Sequence, residues 1–384
     1  MKHRFHALGI PHTITNKEYS ACAFTQKVLK WCKMMTGRGH TVYHYGHEDS
    51  QVVCTEHVTV TTKQDLQVAY GNYNWKSEFF KHNVNDHAHQ TFYKRAIVEV
   101  GKRKRPRDFI LLFWGYGHKP VSDAHPDLIA VEPGVGYHAE PAAKFSIYES
   151  YCVMNHTYAL AKINPRWYDA VIPNYFDLND FEFDDDPEDY LLFVGRIIES
   201  KGVGMAVEIA KKVNMRLKVA GQGDLASVLK GPIPDHVEIV GYVEPRARAL
   251  LMKKAKALLM PTHFNEPFGG VMVEALLCGT PVITSDWGAF SENNIHGMTG
   301  YRCRTMEQFV WAVKNIDAIS RYVCYNWAMR TFSLERVAPM YEEYFDSLMR
   351  VFTGAGFYEY NVQRTELDWL NRDYPCAHEI VEVL

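Results

Sequence analysis

Several common signatures are missing from this sequence. No two cysteines stand in a C-x-x-C spacing; the eight cysteines, at 22, 32, 54, 152, 278, 303, 324 and 376, are scattered. That pattern argues against a zinc ribbon and for reduced thiols. No run of about 18 uncharged apolar residues occurs, so no membrane-spanning helix is expected. The start of the chain, Met1-Lys2-His3-Arg4-Phe5-His6, lacks the apolar core of a signal peptide, and with reduced thiols this points to a cytoplasmic protein. Neither sign of charge is in excess. A formal net charge of −3 gives no general attraction to nucleic acid. There is no repeat of solenoid period and no low-complexity tract.

What is present is material for a core. Hydrophobic residues make up 47% of the chain and charged residues 23%, as in globular proteins. A length of 384 residues is too great for one ordinary core and suggests two domains. In the first half, a short strand over 4–10 leads into a helix ending near Met35 at Gly37-Arg38-Gly39. The alternation of His40 to Tyr45 then reads as a strand, and strand, helix, strand is the start of a parallel sheet. Further strands are expected over 52–60, 109–114 and 128–131, with a helix over 87–103 and a helix with aromatic teeth around Ile147-Tyr148-Glu149-Ser150-Tyr151. Loops after parallel strands share one edge. The turns after Trp114 and after Val131, the latter running Glu132-Pro133-Gly134-Val135-Gly136-Tyr137-His138, are therefore candidate ligand loops. The basic run Gly101 to Asp108 reads as a solvated helix end, or else as a contact for an acidic surface or an acceptor.

The first half ends with Val171-Ile172-Pro173-Asn174, and an acidic segment from Leu178 to Asp189 follows. Three consecutive aspartates, 184–186, suggest a metal site, but their setting is that of a solvated linker. Alternation resumes with strands at 190–194, 216–220, 237–241, 257–260 and 281–284 and helices at 202–213, 245–255 and 306–316. A last helix over 334–351 carries Leu334, Val337, Met340, Tyr341, Tyr344, Phe345, Leu348 and Val351 on one stripe. The fold class expected is α/β: two Rossmann-like, doubly wound parallel-sheet domains facing across a cleft, at 1–177 and 178–351. The tail, 352–384 with Trp369, is expected to pack back on the first domain.

One stretch organises the second half. His263-Phe264-Asn265-Glu266-Pro267-Phe268-Gly269-Gly270-Val271-Met272-Val273-Glu274-Ala275 reads as a loop after a buried strand, then a helix opening near Phe268. Glycines at a helix start let backbone N–H groups approach a ligand, and the helix dipole there favours a phosphate. Glu266 and Glu274 are eight positions apart, about 12 Å along a helix, too far to act as an acid/base pair on one atom. They suit hydroxyls at two ends of an extended ligand with a diphosphate between, the layout of a nucleotide sugar. Arg196, after Gly195, and Lys201 are expected at the same sheet edge, where two cations and helix N–H groups would take up the charge on a departing diphosphate. Gly221-Gln222-Gly223 lacks a third glycine, so a dinucleotide fingerprint is only weakly supported.

These residues together resemble retaining glycosyltransferases of family 4, which have the GT-B fold. The likeness rests on Gly195-Arg196 with Lys201-Gly202, Gly221-Gln222-Gly223, Gly241-Tyr242-Val243, Glu266-Pro267-Phe268-Gly269 with Glu274-Ala275, and Gly279-Thr280-Pro281-Val282, and it covers residues 171–350. The style of Glu132-Pro133-Gly134 is similar to enzymes encoded by large algal viruses, the chloroviruses, which would place the protein in host cytoplasm. The resemblance implies that Arg196 and Lys201 bind the diphosphate, Glu266 the sugar hydroxyls and Glu274 the ribose. It also implies that the backbone of Phe268, Gly269 and Gly270 faces sugar and phosphate, that the backbone at Tyr242 and Val243 lines the base pocket, and that no metal or other cofactor is needed. Family members often carry a glycine pair after the first strand and a histidine near the sugar. Here Gly9-Ile10-Pro11-His12 replaces the former, and His118 or His138 are candidates for the latter. Glu244 could accept two hydrogen bonds from guanine, favouring GDP-mannose over UDP-glucose, or it could cap the following helix. A glycan or glycoprotein acceptor follows from the resemblance, a homodimer is compatible with it, and a nucleotide-sugar-binding protein or an epimerase are the other readings.

Overall fold

A computed structural model of the protein describes residues 1–137, 139–354 and 356. His138 and the tail 357–384, including Trp369, lie outside the described residues. The chain forms two compact units: Met1–Tyr73 with Phe80–Tyr175 and the described residues from Leu334, and Asn74–Phe79 with Phe176–Ser333.

The first unit is built on seven strands: β1 (Arg4–Leu8), β2 (Thr41–His47), β3 (Glu56–Thr61), β4 (Phe109–Leu111), β5 (Ile129–Val135), β6 (Phe145–Tyr148) and β7 (Ala170–Val171). All neighbours pair in parallel, in the order β3-β2-β1-β4-β5-β6-β7. Both faces of a parallel sheet are covered, so its strands are apolar at successive positions. Phe5, Phe109 and Leu111 join one core with Trp31 and Met35 of the helix Ala23–Gly37, while Leu8, Ile110 and Leu112 join another with Phe92 and Ala96 of the helix His87–Arg103.

The chain returns to this unit at its end. The helix Leu334–Thr353, expected in the second domain, packs its apolar stripe on the first sheet. The Phe345 ring centre lies 4.7 Å from that of Phe5 and 4.8 Å from that of Phe109, and the Tyr344 hydroxyl donates to the Tyr168 carbonyl at 2.9 Å. Complete burial of each aromatic side chain stabilises by about 1.5–3 kcal/mol, so the stripe fixes where the helix goes. A second correction concerns Ile147 and Tyr148, which end strand β6 instead of opening a helix. Ser150 caps the helix Tyr151–Ala161 behind them, its side chain accepting from the Val153 N–H at 3.1 Å.

The second unit carries β8 (Tyr190–Val194), β9 (Arg216–Ala220), β10 (Val237–Gly241), β11 (Ala257–Met260), β12 (Val282–Ser285) and β13 (Gly300–Cys303), all parallel in the order β10-β9-β8-β11-β12-β13. Each sheet reverses its strand order at one place, between β1 and β4 or between β8 and β11, and open α/β sheets bind ligands at that switch point.

Charge runs are settled locally. In the basic run, Lys102 and Arg103 pair with Glu99, Arg103 also with Glu56, and Lys104 with Asp127. In the acidic segment, Asp184 pairs with Lys254 at 2.9 Å. The seven described cysteines are free, and no helix of the described residues is long and apolar enough to cross a membrane.

Candidate functional site

The loops following β8, β9, β10 and β11 leave the second sheet along one edge, because the strands are parallel. Glycines decide how tightly those loops pack. Gly202, at φ 75°, sits against the Pro261 carbonyl so closely that a Cβ would overlap it. It ends the 3₁₀ turn Glu199–Lys201 and starts the helix Val203–Val213, which fixes Lys201 beside the end of β11. Gly221 lies against the Gly195 carbonyl in the same way, and the Ile197 N–H donates to the Gln222 carbonyl at 2.7 Å.

Across the switch point, the Lys201 Nζ meets the Glu266 carboxylate at 2.7 Å and lies 4.3 Å from the centre of the Phe264 ring. Glu266 is held from behind: its carbonyl accepts from the Ala289 N–H at 2.9 Å, and a Cβ on Gly288 would stand 2.7 Å from its nitrogen. Both side chains are partly exposed, 21% for Lys201 and 12% for Glu266, so the pair is within reach of a ligand. The helix beginning at Gly270 runs to Leu277, with Gly269 as its N-cap at φ 85°. In its first turn the Met272 N–H is taken by the Gly269 carbonyl at 2.9 Å, and the N–H groups ahead of it, of Gly270 and Val271, are the kind a helix start presents to an anion. The Phe268 side chain, 2% exposed, is core: its ring packs edge-on against Phe332 at 5.6 Å, so only backbone faces the site.

Glu274 receives a two-pronged hydrogen bond from Arg248, at 2.9 and 3.2 Å. Arg248 was not singled out in the sequence, although it stands four positions after Glu244 in the helix Pro245–Lys254. Glu244 itself occupies the N-cap position without a side-chain cap bond; its carboxylate meets Lys76 at 2.7 Å. Arg196 is exposed, its guanidinium 6.0 Å from the Phe79 ring centre. Tyr242 packs edge-on against Trp75 at 5.8 Å, and Val243 lies half-buried beside it. The side-chain amide of Gln222 donates to the carbonyls of Trp75 and Glu78. The structure thus brings Lys201 and Glu266 into direct contact and places Gly195, Arg196, Gly221, Tyr242, Val243, Glu244, Phe268, Gly269 and Gly270 on loops or helix starts of one edge, with Glu274 in the second turn of the helix Gly270–Leu277.

The switch point of the first unit is made differently. His12, after β1, packs against Trp114, after β4, with ring centres 5.0 Å apart, and stacks with His89 at 5.6 Å. His118 is fully buried; its Nδ1 accepts from the Trp114 N–H at 3.1 Å and its Nε2 bonds to the Gly9 carbonyl at 2.9 Å. Both ring nitrogens are engaged by backbone, so His118 has none to offer a sugar, which corrects the expectation. Burial pushes it down to about 3. His138, the other candidate, lies outside the described residues. At the ends of β5 and β6 sits a buried charged group that sequence reasoning missed. Lys27, from the helix Ala23–Gly37, pairs with Glu149 and donates to the Gly134 carbonyl at 2.9 Å. Glu132 accepts from the Tyr137 hydroxyl and from the Ala142 N–H. Burial lowers Lys27 to about 7 and raises Glu132 to about 7. The available signal was the glycine pattern around Glu132: a Cβ on Gly115 would come within 2.9 Å of that carboxylate, and one on Gly136 would overlap Glu149.

Residues 177–320 match the family model described as Glycosyl transferases group 1. The chain is 33% identical to glycogen synthase of Mycobacterium tuberculosis over 123 residues, 29% of this chain and 30% of that protein. It is 31% identical to phosphatidyl-myo-inositol mannosyltransferase of the same organism over 165 residues, 37% of this chain and 43% of that protein. The matched segments thus span less than half the length of these curated relatives. The structure resembles sucrose-phosphate synthase from Thermosynechococcus elongatus, with a TM-score of 0.69 and 16% identity, covering 91% of this chain and all of that one. The fold is accordingly the GT-B architecture of two Rossmann-like parallel-sheet domains.

Proposed function

We propose that the protein is a retaining, metal-independent glycosyltransferase that moves a hexose from a nucleotide sugar, foremost mannose from GDP-mannose, to a glycan or glycoprotein. The observation carrying this reading is the Lys201–Glu266 pair at the switch point of the second sheet, beside a glycine-capped helix start. A diphosphate at that helix start meets its N–H groups, with Arg196 and Lys201 as the nearby cations. Glu266, released from Lys201 as the lysine turns to phosphate, accepts hydroxyls of the sugar. Glu274, steadied by Arg248, accepts those of the ribose. As the sugar–phosphate bond breaks, these fixed donors stabilise the negative charge left on the diphosphate, and the acceptor hydroxyl attacks the face it vacates, its proton passing to an oxygen of the leaving diphosphate. The group 1 match of residues 177–320, which spans this edge, supports the reading, as do a glycogen synthase and a mannosyltransferase among similar proteins. A cytoplasmic setting, in a host cell by the likeness of Glu132-Pro133-Gly134 to chlorovirus enzymes, is part of this proposal and draws on the free thiols of the seven described cysteines.

UDP-glucose is the second donor, favoured by one observation: Glu244 is paired with Lys76, and reading guanine requires that pair to open. Incubation with GDP-mannose and with UDP-glucose, with and without candidate acceptors, separates the readings. Transfer with retained anomeric configuration, lost in Glu266→Ala and Arg196→Ala while both variants stay folded, is the expected result. Full transfer by both variants would sink the proposal. A bound donor that is never consumed points to a binding protein, and an altered sugar without acceptor points to an epimerase.

A further inference from the structure

The second unit includes six residues taken from far earlier in the chain, Asn74–Phe79. They form a self-supporting turn. The Asn74 carbonyl accepts from the N–H groups of Ser77 and Glu78 at 3.0 and 2.8 Å, and the Asn74 side chain accepts from the Lys76 N–H at 3.1 Å. Preformed in this way, the turn sets its side chains and carbonyls against the loops at the sheet edge. Trp75 meets the Tyr242 ring, Lys76 the Glu244 carboxylate, Phe79 the Arg196 guanidinium, and the carbonyls of Trp75 and Glu78 consume the Gln222 amide. Gln222 is left 7% exposed.

Every one of these partners belongs to the loops after β8, β9 and β10, the base and diphosphate end of the proposed donor site. Lys201 pairs with Glu266 and lies over the Phe264 ring, so that end is built from the loops after β8 and β11. The segment therefore covers the nucleotide end. We propose that Asn74–Phe79 is an internal strap occupying the base subsite, and that a nucleoside diphosphate must displace it to bind. This rests on the donor reading above. A base entering beside Tyr242 and Val243 takes the place of the Trp75 ring, and a guanine reaching Glu244 competes directly with the Lys76 ammonium. The donor and the strap are two ligands for one set of groups, so the strap lowers donor affinity by the fraction of molecules in which it is seated.

The test is calorimetric titration of GDP and of UDP into the full-length protein and into the double variant Trp75→Ala, Lys76→Ala. Displacement predicts that the variant binds its preferred nucleotide more tightly, by roughly tenfold if the strap is seated in nine molecules of ten. Lys76→Ala alone, which touches an exposed ion pair and leaves the turn intact, should move affinity in the same direction by less. Saturating nucleotide should also speed amide exchange at residues 74–79 of the unmodified protein. Equal or weaker binding by both variants overturns the strap and leaves the donor reading standing, since it would make Trp75 and Lys76 a wall of the subsite. Absence of binding by all three proteins removes the donor reading and the strap with it.

Discussion

At the place where each sheet reverses its strand order, the first unit sets His12 against Trp114 and the second sets Lys201 against Glu266. The topologies are alike: a central strand, a run of parallel neighbours to either side, and loops leaving one edge. The fillings are opposite. In the first unit the loops close with rings and with a histidine that is bonded to backbone at both nitrogens. In the second they close with a partly exposed ion pair and a glycine-capped helix start. A shared fold thus fixes where a ligand can sit, and the side chains at that place decide whether the position is packing or chemistry.

The sharpest way to break that contrast is to exchange its readouts. Lys201→Ala removes a charge at the proposed leaving group and should lower transfer by about 10²–10³-fold. Its melting temperature should change little, because Lys201 is partly exposed. His118→Ala should do the reverse. It leaves the Trp114 N–H and the Gly9 carbonyl buried without a partner and opens a cavity, costing roughly 2–4 kcal/mol of stability. Calorimetric melting and a transfer assay on both variants decide the matter. A destabilised Lys201→Ala that stays active, or a stable His118→Ala without activity, would show that the two switch points have been assigned the wrong way round.

The edge that carries Lys201 and Glu266 was legible as a cluster in the sequence because its parts are close along the chain. Gly195 to Gly202 and Glu266 to Glu274 are short segments in which glycine placement and charge say what the backbone must do. Distant partners were not legible. Nothing near Lys27 announces Glu149, and nothing near Glu244 announces Lys76; each pair is made by the fold. The helix Leu334–Thr353 shows the same limit. Its apolar stripe was readable, but a stripe does not name the sheet it covers, and the covering residues Phe5 and Phe109 lie more than two hundred positions earlier. Ile147 and Tyr148 misled for another reason: a short apolar run fits a buried strand as well as a helix.

Acid should separate the units next. Among the described residues, the histidines with a lowered pKa, His12, His40, His44, His47, His57, His89, His118 and His125, all lie in the first unit. For His44 and His118, burial brings the value down to about 3. A histidine held neutral in the native state takes up its proton on unfolding. Stability is therefore full above the ordinary value near 6.5, and it falls as pH drops from there toward 3. At pH 5 each of these two groups should have cost roughly 2 kcal/mol. Amide exchange followed from pH 7 to pH 5 should loosen β1–β4 before β8–β12. Simultaneous loosening of both sheets, or loss in the second first, would remove the distinction.

The smallest test uses a device that both units share. Thr62 and Thr305 each begin a helix with a reciprocal cap, pairing with Asp65 and Gln308 three positions on. The side-chain cap is worth about 1 kcal/mol in either case. The two differ in what the third residue does next. The Asp65 carboxylate is 5% exposed and also takes Arg95 at 2.6 Å and His87 at 3.2 Å, whereas the Gln308 amide lies at the surface and accepts from the Arg304 N–H at 2.7 Å. Burial raises the pKa of Asp65, and the bonds from Thr62 and Arg95 more than offset it. Thr62→Ala takes a hydroxyl donor away from a buried carboxylate as well as a cap from the helix, so it should cost about twice as much as Thr305→Ala. Denaturant unfolding of the two variants measures the difference. Equal losses would mean that Arg95 and His87 already satisfy Asp65, and that the cap alone carries the effect in both units.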